Sequence, residues 1–328
     1  MTHSLAERAI LSNLARINMD SPKFTSEDIL QGLPPTTPEL IASDVRSIKA
    51  ALCKLGLEEE PEYVIFSCVP PSAIDEMVER PRLWGGVCMR TFYSADSCKL
   101  IIKLPKRPHE IVSRGFEYLI REEAKRQGVR HDLTSIGSET IQEPPYAKEA
   151  DSAWIPRRQV PGRSDKWPTL VLEVGLSETL ARLHIDMKWW FSNSGGQVKI
   201  VIIASIHRNE PQIVVEKWEL QRRRPHSHNL RSLRAIPREG AEQNNHGDGD
   251  DQDPEVPTLV QEITLNLQPS TNTITTTGGP LVIPFHKLLL KNRAPYSVQA
   301  DFTYTAATLE EEIAKEVWEA QGFLSRPL

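Results

Sequence analysis

Glu173 stands inside Leu170-Val171-Leu172-Glu173-Val174, a stretch otherwise built for burial. Ionised carboxylates are rarely placed in such a stretch without a partner, which makes Glu173 a candidate for function. Asp151 precedes a second apolar stretch, Ser152-Ala153-Trp154-Ile155, one hairpin earlier. Neighbouring strands can therefore bring the two carboxylates together. Two converging carboxylates and a backbone carbonyl form the hard oxygen site that Mg²⁺ or Mn²⁺ takes, and such an ion keeps waters, one of which can attack a phosphodiester. That chemistry makes DNA or RNA the expected partner. The bland alternatives for Glu173 are an ion pair with an arginine and an edge strand whose glutamate reaches water. His109 and Glu110, at the start of an expected helix, are accessory candidates, although a histidine so placed usually caps or packs.

The elements that must position these residues alternate in period. Residues 99–104 read as a short strand. Residues 108–127 read as a helix started by Pro108 and stopped by Gly128, with Val112, Phe116, Leu119 and Ile120 on one apolar face. Strands are expected at about 132–141, 150–155 and 170–176, a helix at about 177–192, and strands at 198–206 and 213–220. The order α-β-β-β-α-β predicts a mixed sheet flanked by helices, an α/β core over residues 67–223. The run Lys199-Ile200-Val201-Ile202-Ile203 wants cover on both faces, so 198–206 should be a central strand.

Residues 1–66 read as a helical N-terminal region. Leu5, Ile10, Leu11 and Leu14 fall near helical spacing, Thr25 with Asp28 three residues on suggests a cap, and 38–55 reads as another helix. Short helices followed by the strand-like Tyr63-Val64-Ile65-Phe66 fit a winged-helix arrangement, which would lay a helix in a DNA groove, and equally a small bundle. Residues 224–257 are polar and glycine-containing and cannot bury enough apolar area to order themselves, so they read as a disordered linker. Residues 258–328 should return to the core, with strands at 262–267 and 281–283. There Thr308 should cap a last helix that has Glu311 at its third position and Leu309, Ile313 and Val317 on its docking face.

With 328 residues the chain can bury one large core or two smaller ones, and 39% hydrophobic against 25% charged residues suits a soluble globular protein. The net charge of −5 is unevenly spread: seven acids against one base between Arg238 and Glu255 account for −6, leaving +1 for the rest, and a basic stretch from Arg222 to Arg234 lies immediately before. Net charge thus excludes little, nucleic acid included. The longest apolar run, 200–205, is far below the ~20 residues that cross a bilayer, and Glu7 and Arg8 interrupt any signal-peptide core. No membrane partner is expected. Cys53, Cys68, Cys88 and Cys98 show no Cys-x-x-Cys spacing and no neighbouring histidines. They read as reduced, buried thiols of a cytoplasmic or nuclear protein rather than zinc ligands.

The run Pro168-Thr169-Leu170-Val171-Leu172-Glu173-Val174-Gly175-Leu176-Ser177-Glu178, followed by Asp186-Met187-Lys188-Trp189-Trp190 and Gly196-Gln197-Val198-Lys199-Ile200-Val201, resembles a group of uncharacterised fungal proteins. That group in turn looks like the restriction-endonuclease-like families of the PD-(D/E)XK superfamily. The resemblance spans about residues 100–220. It implies a metal-dependent nuclease fold with Asp151 at the superfamily's aspartate and Glu173 at its second acid. Ala150 replaces the motif's proline, a permissive position. Gly175 replaces its lysine, which would share a strand face with Glu173 and stabilise developing charge.

Relatives lacking that lysine often supply one from the next helix, which makes Lys188 the first candidate and Lys199 the second. With Leu180, Leu183, Met187, Trp190 and Phe191 as the core face, Lys188 falls about 110° from its centre on one flank and Asp186 about 90° on the other. Trp189 falls opposite that face, to stack on a base or be covered by the tail. Three function classes follow. The first is a Mg²⁺-dependent nuclease using Asp151, Glu173 and Lys188. The second is a catalytically degenerate nuclease fold that binds nucleic acid or protein, and the third an interaction scaffold using the acidic tract. Oligomeric state is not legible.

Overall fold

The computed structural model describes residues 23–55, 61–80, 89–176, 180–222 and 255–325. Numbered in chain order, strands β9 (Leu170–Leu176) and β10 (Ile200–Ile206) are buried at every position. Such strands need cover on both faces, and the chain supplies it in layers. They pair in parallel at the centre of a seven-stranded mixed sheet. Its spatial order is β13 (Thr273–Thr277), β12 (Glu255–Gln268), β11 (Gln212–Arg222), β10, β9, β8 (Ser152–Pro156) and β5 (Leu133–Ser135). One face carries Leu170, Leu172 and Val174 against the helix α3 (Arg107–Arg126) and the C-terminal helices. Each such fully buried side chain contributes about 1.5–3 kcal/mol.

The other face carries Val171, Val201 and Ile203 against the helix α4 (Leu180–Asn193). A second, six-stranded sheet covers α4 in turn. Its order is β1 (Glu39–Ile41), β2 (Tyr63–Ser67), β4 (Lys99–Lys103), β3 (Arg90–Ser94), β7 (Tyr146–Glu149) and β6 (Thr140–Glu143). Its inner face presents Tyr63, Ile65, Phe92, Ile101 and Tyr146 to α4. Its outer face packs on α1 (Val45–Leu55) and α2 (Pro71–Glu79). Lying between two sheets, α4 buries residues all round, including Arg182, Asp186, Lys188 and Trp189. Trp189 is covered by Phe92, Tyr146, Trp167 and Trp190. Fully buried, it has no face open to a base, and it packs within the cluster between the two sheets rather than under the described part of the tail.

The expected order α-β-β-β-α-β is present as α3, β5, β8, β9, α4 and β10, with the hairpin β6–β7 sent to the six-stranded sheet. A single strand over 132–141 is therefore not formed: it divides into β5 and β6. The N-terminal region is less helical than expected. Within 38–55, β1 precedes α1, and β2 lies between β1 and β4 inside the sheet, which excludes a separate winged-helix or bundle unit over 39–66. Asp28 opens a 3₁₀ turn and accepts the Thr25 backbone N–H at 2.8 Å, the reverse of a threonine cap. The expected helix around Leu5–Leu14 and nearly all of the linker lie outside the described residues, but residues 255–257 belong to β12, whose Glu255 pairs with Arg222. At the C-terminus Thr305, not Thr308, is the cap: its hydroxyl accepts the Thr308 N–H at 3.2 Å. Leu309, Ile313 and Val317 do dock on the core. Cys53 and Cys68 are exposed and Cys98 half-buried, against the expectation of buried thiols. Among the described residues no helix is long and apolar enough to cross a membrane.

Candidate functional site

Strand β8 pairs antiparallel with β9 in the register Ser152↔Leu172. One step further back, Asp151 meets the Glu173 level of β9, and its Oδ2 accepts the Val174 backbone N–H at 2.7 Å. The six-stranded sheet brings cations to this point. Arg90 and Lys103 are direct cross-strand partners, a like-charge pairing that is unfavourable unless an anion lies between them. Asp151 is that anion, 2.6 Å from Lys103 Nζ and 3.6 Å from Arg90 Nε. Lys103 Nζ also donates to the Val174 carbonyl.

His109, in the first turn of α3, places Nε2 3.0 Å from Asp151 Oδ1, yet off the line a hydrogen bond requires, so both atoms lack an aligned partner. Glu110 stands behind, 3.4 Å from Arg90. Burial works to raise the Asp151 pKa, but His109, Lys103 and Arg90 together hold it well below the usual carboxylate range.

Glu173 has its own partners. Trp190 on α4 donates Nε1–H to its Oε1 at 2.6 Å, and Lys148 on β7 lies 3.2 Å from the same atom. Lys148 is closer to Asp186, at 2.9 Å, which Arg182 also pairs at 3.1 Å. Burial, reinforced by Asp186 and Asp151 and opposed by Lys148 and Lys103, raises the Glu173 pKa to about 7. Asp186 is the carboxylate that keeps its charge. Burial alone would raise its pKa, but Arg182 and Lys148 lower it. Burial disfavours the Lys148 ammonium, yet Asp186 and Glu173 outweigh this and raise its pKa. Between Arg90, Lys103, Lys148, Glu173, Arg182 and Asp186 remains a cavity of about 20 Å³, room for about one water molecule.

Asp151 and Glu173 thus come to one region on neighbouring strands, joined by His109. The two lysines expected there do not. Lys188 is buried against Asp28, 3.1 Å from its Oδ2, because the second sheet turns its flank of α4 inward. Lys199 donates to the Gly196 carbonyl at 2.6 Å and precedes Ile200, which pairs with Leu170. That is about 13 Å along the strand from the level of Glu173. Lys103, Lys148, Arg90, Arg182 and Trp190 were not singled out as site residues. A usable signal existed for Lys148, which alternates with Tyr146 and Ala150 on the face turned toward α4.

Hard oxygen donors are present in Asp151, Glu173 and the Val174 carbonyl, as Mg²⁺ requires. The arrangement nevertheless does not fit a divalent ion. The position between Asp151 Oδ2 and the Val174 carbonyl is filled by the Lys103 ammonium, and Glu173 is engaged by Trp190 and Lys148. Among the described residues no three of histidine, cysteine, aspartate and glutamate converge to hold a metal.

No family model matches the sequence, and no curated protein matches it significantly. Among solved structures, a protein of Anabaena variabilis described as a "putative nuclease belonging to DUF820" overlaps 38% of this chain and 70% of its own, with 13% identity and a TM-score of 0.28. A likeness that low carries no argument about activity. No comparison bears on the fungal group. What stands is a mixed α/β fold, its sheets flanked by helices, around a buried network of opposite charges.

Proposed function

We propose that this chain is a nuclease-like α/β protein in which a lysine ammonium takes the place of the divalent ion, and that it binds nucleic acid without cleaving it. The observation that carries this reading is Lys103 Nζ, shared between Asp151 Oδ2 at 2.6 Å and the Val174 carbonyl. A divalent cation arriving there would meet an ammonium and the Arg90 guanidinium at close range, in surroundings where charge is poorly screened. The ionic centre is also buried, with Asp151, Glu173 and Asp186 each under 4% exposed, which leaves no opening for a phosphodiester among the described residues. Backbone phosphates would instead be met at the surface. The loop after β8 carries exposed Arg157 and Arg158 on a cleft of about 530 Å³, the side chains such contacts use.

The test incubates the full chain with single- and double-stranded DNA and RNA, with and without Mg²⁺ or Mn²⁺. Salt-dependent binding without cleavage is expected, weakened when Arg157 and Arg158 are both changed to alanine. Metal-dependent cleavage abolished by Asp151→Ala and by Glu173→Ala would overturn the reading in favour of a nuclease. Binding of none of these nucleic acids would overturn it in favour of a protein scaffold.

A further inference from the structure

Cys68 and Cys98 flank the last paired residues of two neighbouring strands. Ser67 pairs with Lys99 where β2 and β4 end and begin, and just beyond them the Val69 N–H donates to the Cys98 carbonyl at 3.0 Å. Cys68 lies between two residues that are both bound to the Cys98–Lys99 segment, so it is held opposite Cys98. The last paired residues, Ser67 and Lys99, belong to a ladder whose opposed Cα atoms are roughly 4.5–5.5 Å apart, and the Val69–Cys98 hydrogen bond keeps the two chains adjacent one residue further on, near the roughly 4.4–6.8 Å that a disulfide spans.

The backbone adds a second observation. Cys68 and Cys98 have φ of 64° and 50°, left-handed conformations that glycine adopts freely. Among the described residues five non-glycine residues have positive φ, and two of the five are these facing cysteines. An L-residue is disfavoured there by the crowding of its Cβ, and each position could be served by glycine. Both carry a thiol instead. Cys68 is exposed and Cys98 half-buried, so a soluble oxidant can reach the pair, whereas Cys53 faces solvent on α1.

We infer that Cys68 and Cys98 are a redox pair that closes reversibly into a disulfide, with glutathione disulfide as the class of oxidant. The more exposed Cys68 thiolate attacks one sulfur of glutathione disulfide, forming a mixed disulfide and releasing one glutathione thiolate. The Cys98 thiolate then attacks the Cys68 sulfur and expels the second glutathione. The protein loses two protons and two electrons, which leave as two molecules of reduced glutathione. The bond would tie the β3–β4 turn to the segment that enters α2.

The full-length protein is equilibrated in glutathione buffers of graded reduced-to-oxidised ratio, quenched with acid, alkylated, and mapped by mass spectrometry without reduction. A linked pair of peptides containing Cys68 and Cys98, about 2 Da lighter than the two free peptides together, is expected to grow with the oxidised fraction and to disappear on re-reduction. It should be absent from Cys68→Ser and Cys98→Ser and retained in Cys53→Ser. Full oxidation that leaves Cys68 and Cys98 separately glutathionylated or alkylated, or links either one to Cys53 or Cys88, would overturn the inference. The wild-type map alone decides this, so a variant that fails to fold does not protect it.

Discussion

Replacing Glu173 by glutamine keeps the shape of the side chain and the acceptor for Trp190 while removing one titration from the core. The carboxyl is raised from an ordinary 4.5 to about 7 in the fold, so the folded protein holds this proton more tightly than the unfolded chain does. The stabilisation from that proton is complete below about pH 4.5 and is lost as pH rises through about 7. At 1.36 kcal/mol per unit, the difference amounts to about 3 kcal/mol. Asp151 and Asp186 are shifted downward, so their stabilisation is present above their ordinary range and is lost only in acid stronger than the range scanned. Urea unfolding of wild type and Glu173→Gln at intervals from pH 5 to 8 isolates the effect. The stability of wild type relative to the variant should fall with rising pH, by most of that amount. A difference that stays flat, or that grows with pH, would mean that Glu173 is charged in the fold and that burial does not dominate its environment.

Gly115→Ala should lower thermal stability, because its added Cβ would lie 2.9 Å from the Glu312 carbonyl oxygen and 3.1 Å from Ile313 Cγ1. Overpacking of about 1–3 kcal/mol exceeds the helix-propensity gain of about 1 kcal/mol, and an unchanged or higher Tm would show that the two helices can part. Lys188→Ala takes the ammonium from beside the buried Asp28, which keeps its hydrogen bonds from Thr25 and Gln31, and should cost about 1–3 kcal/mol of stability, read by urea unfolding. It should leave the pH dependence set by Glu173 in place; loss of that dependence would put Lys188 back at the carboxylates.

Much of the core was legible because local pattern and burial agree. The unbroken apolarity of 198–206 becomes the central strand β10, and the Pro108-to-Gly128 helix runs as Arg107–Arg126. That Asp151 and Glu173 fall at one level of neighbouring strands follows from the pairing of β8 with β9, although each carboxylate has a lysine of its own. What could not be read was which strands share a sheet. Strand β6 follows β5 in the chain but pairs in the other sheet, a choice made by long-range packing rather than by its own residues. Missing that second sheet, one also misses Lys103 and Lys148, which it carries, and takes α4 for a one-faced helix. The angles around α4 placed Asp186 and Lys188 on its flanks correctly in direction. The error was in assuming that a flank meets water.

The chain passes from one sheet to the other between Glu149, the end of β7, and Ser152, the start of β8. Just before the crossing, Lys148 reaches out of the six-stranded sheet to Glu173 and Asp186. At the crossing, Asp151 reaches back to Lys103 and Arg90. The ion pairs therefore run in both directions, like a stitch passed through two layers of cloth and returned. Sliding one layer over the other would strand several buried charges at once, each expensive to leave unpaired. The crossing at residues 150–151 thus fastens the two sheets to each other by charge as well as by chain.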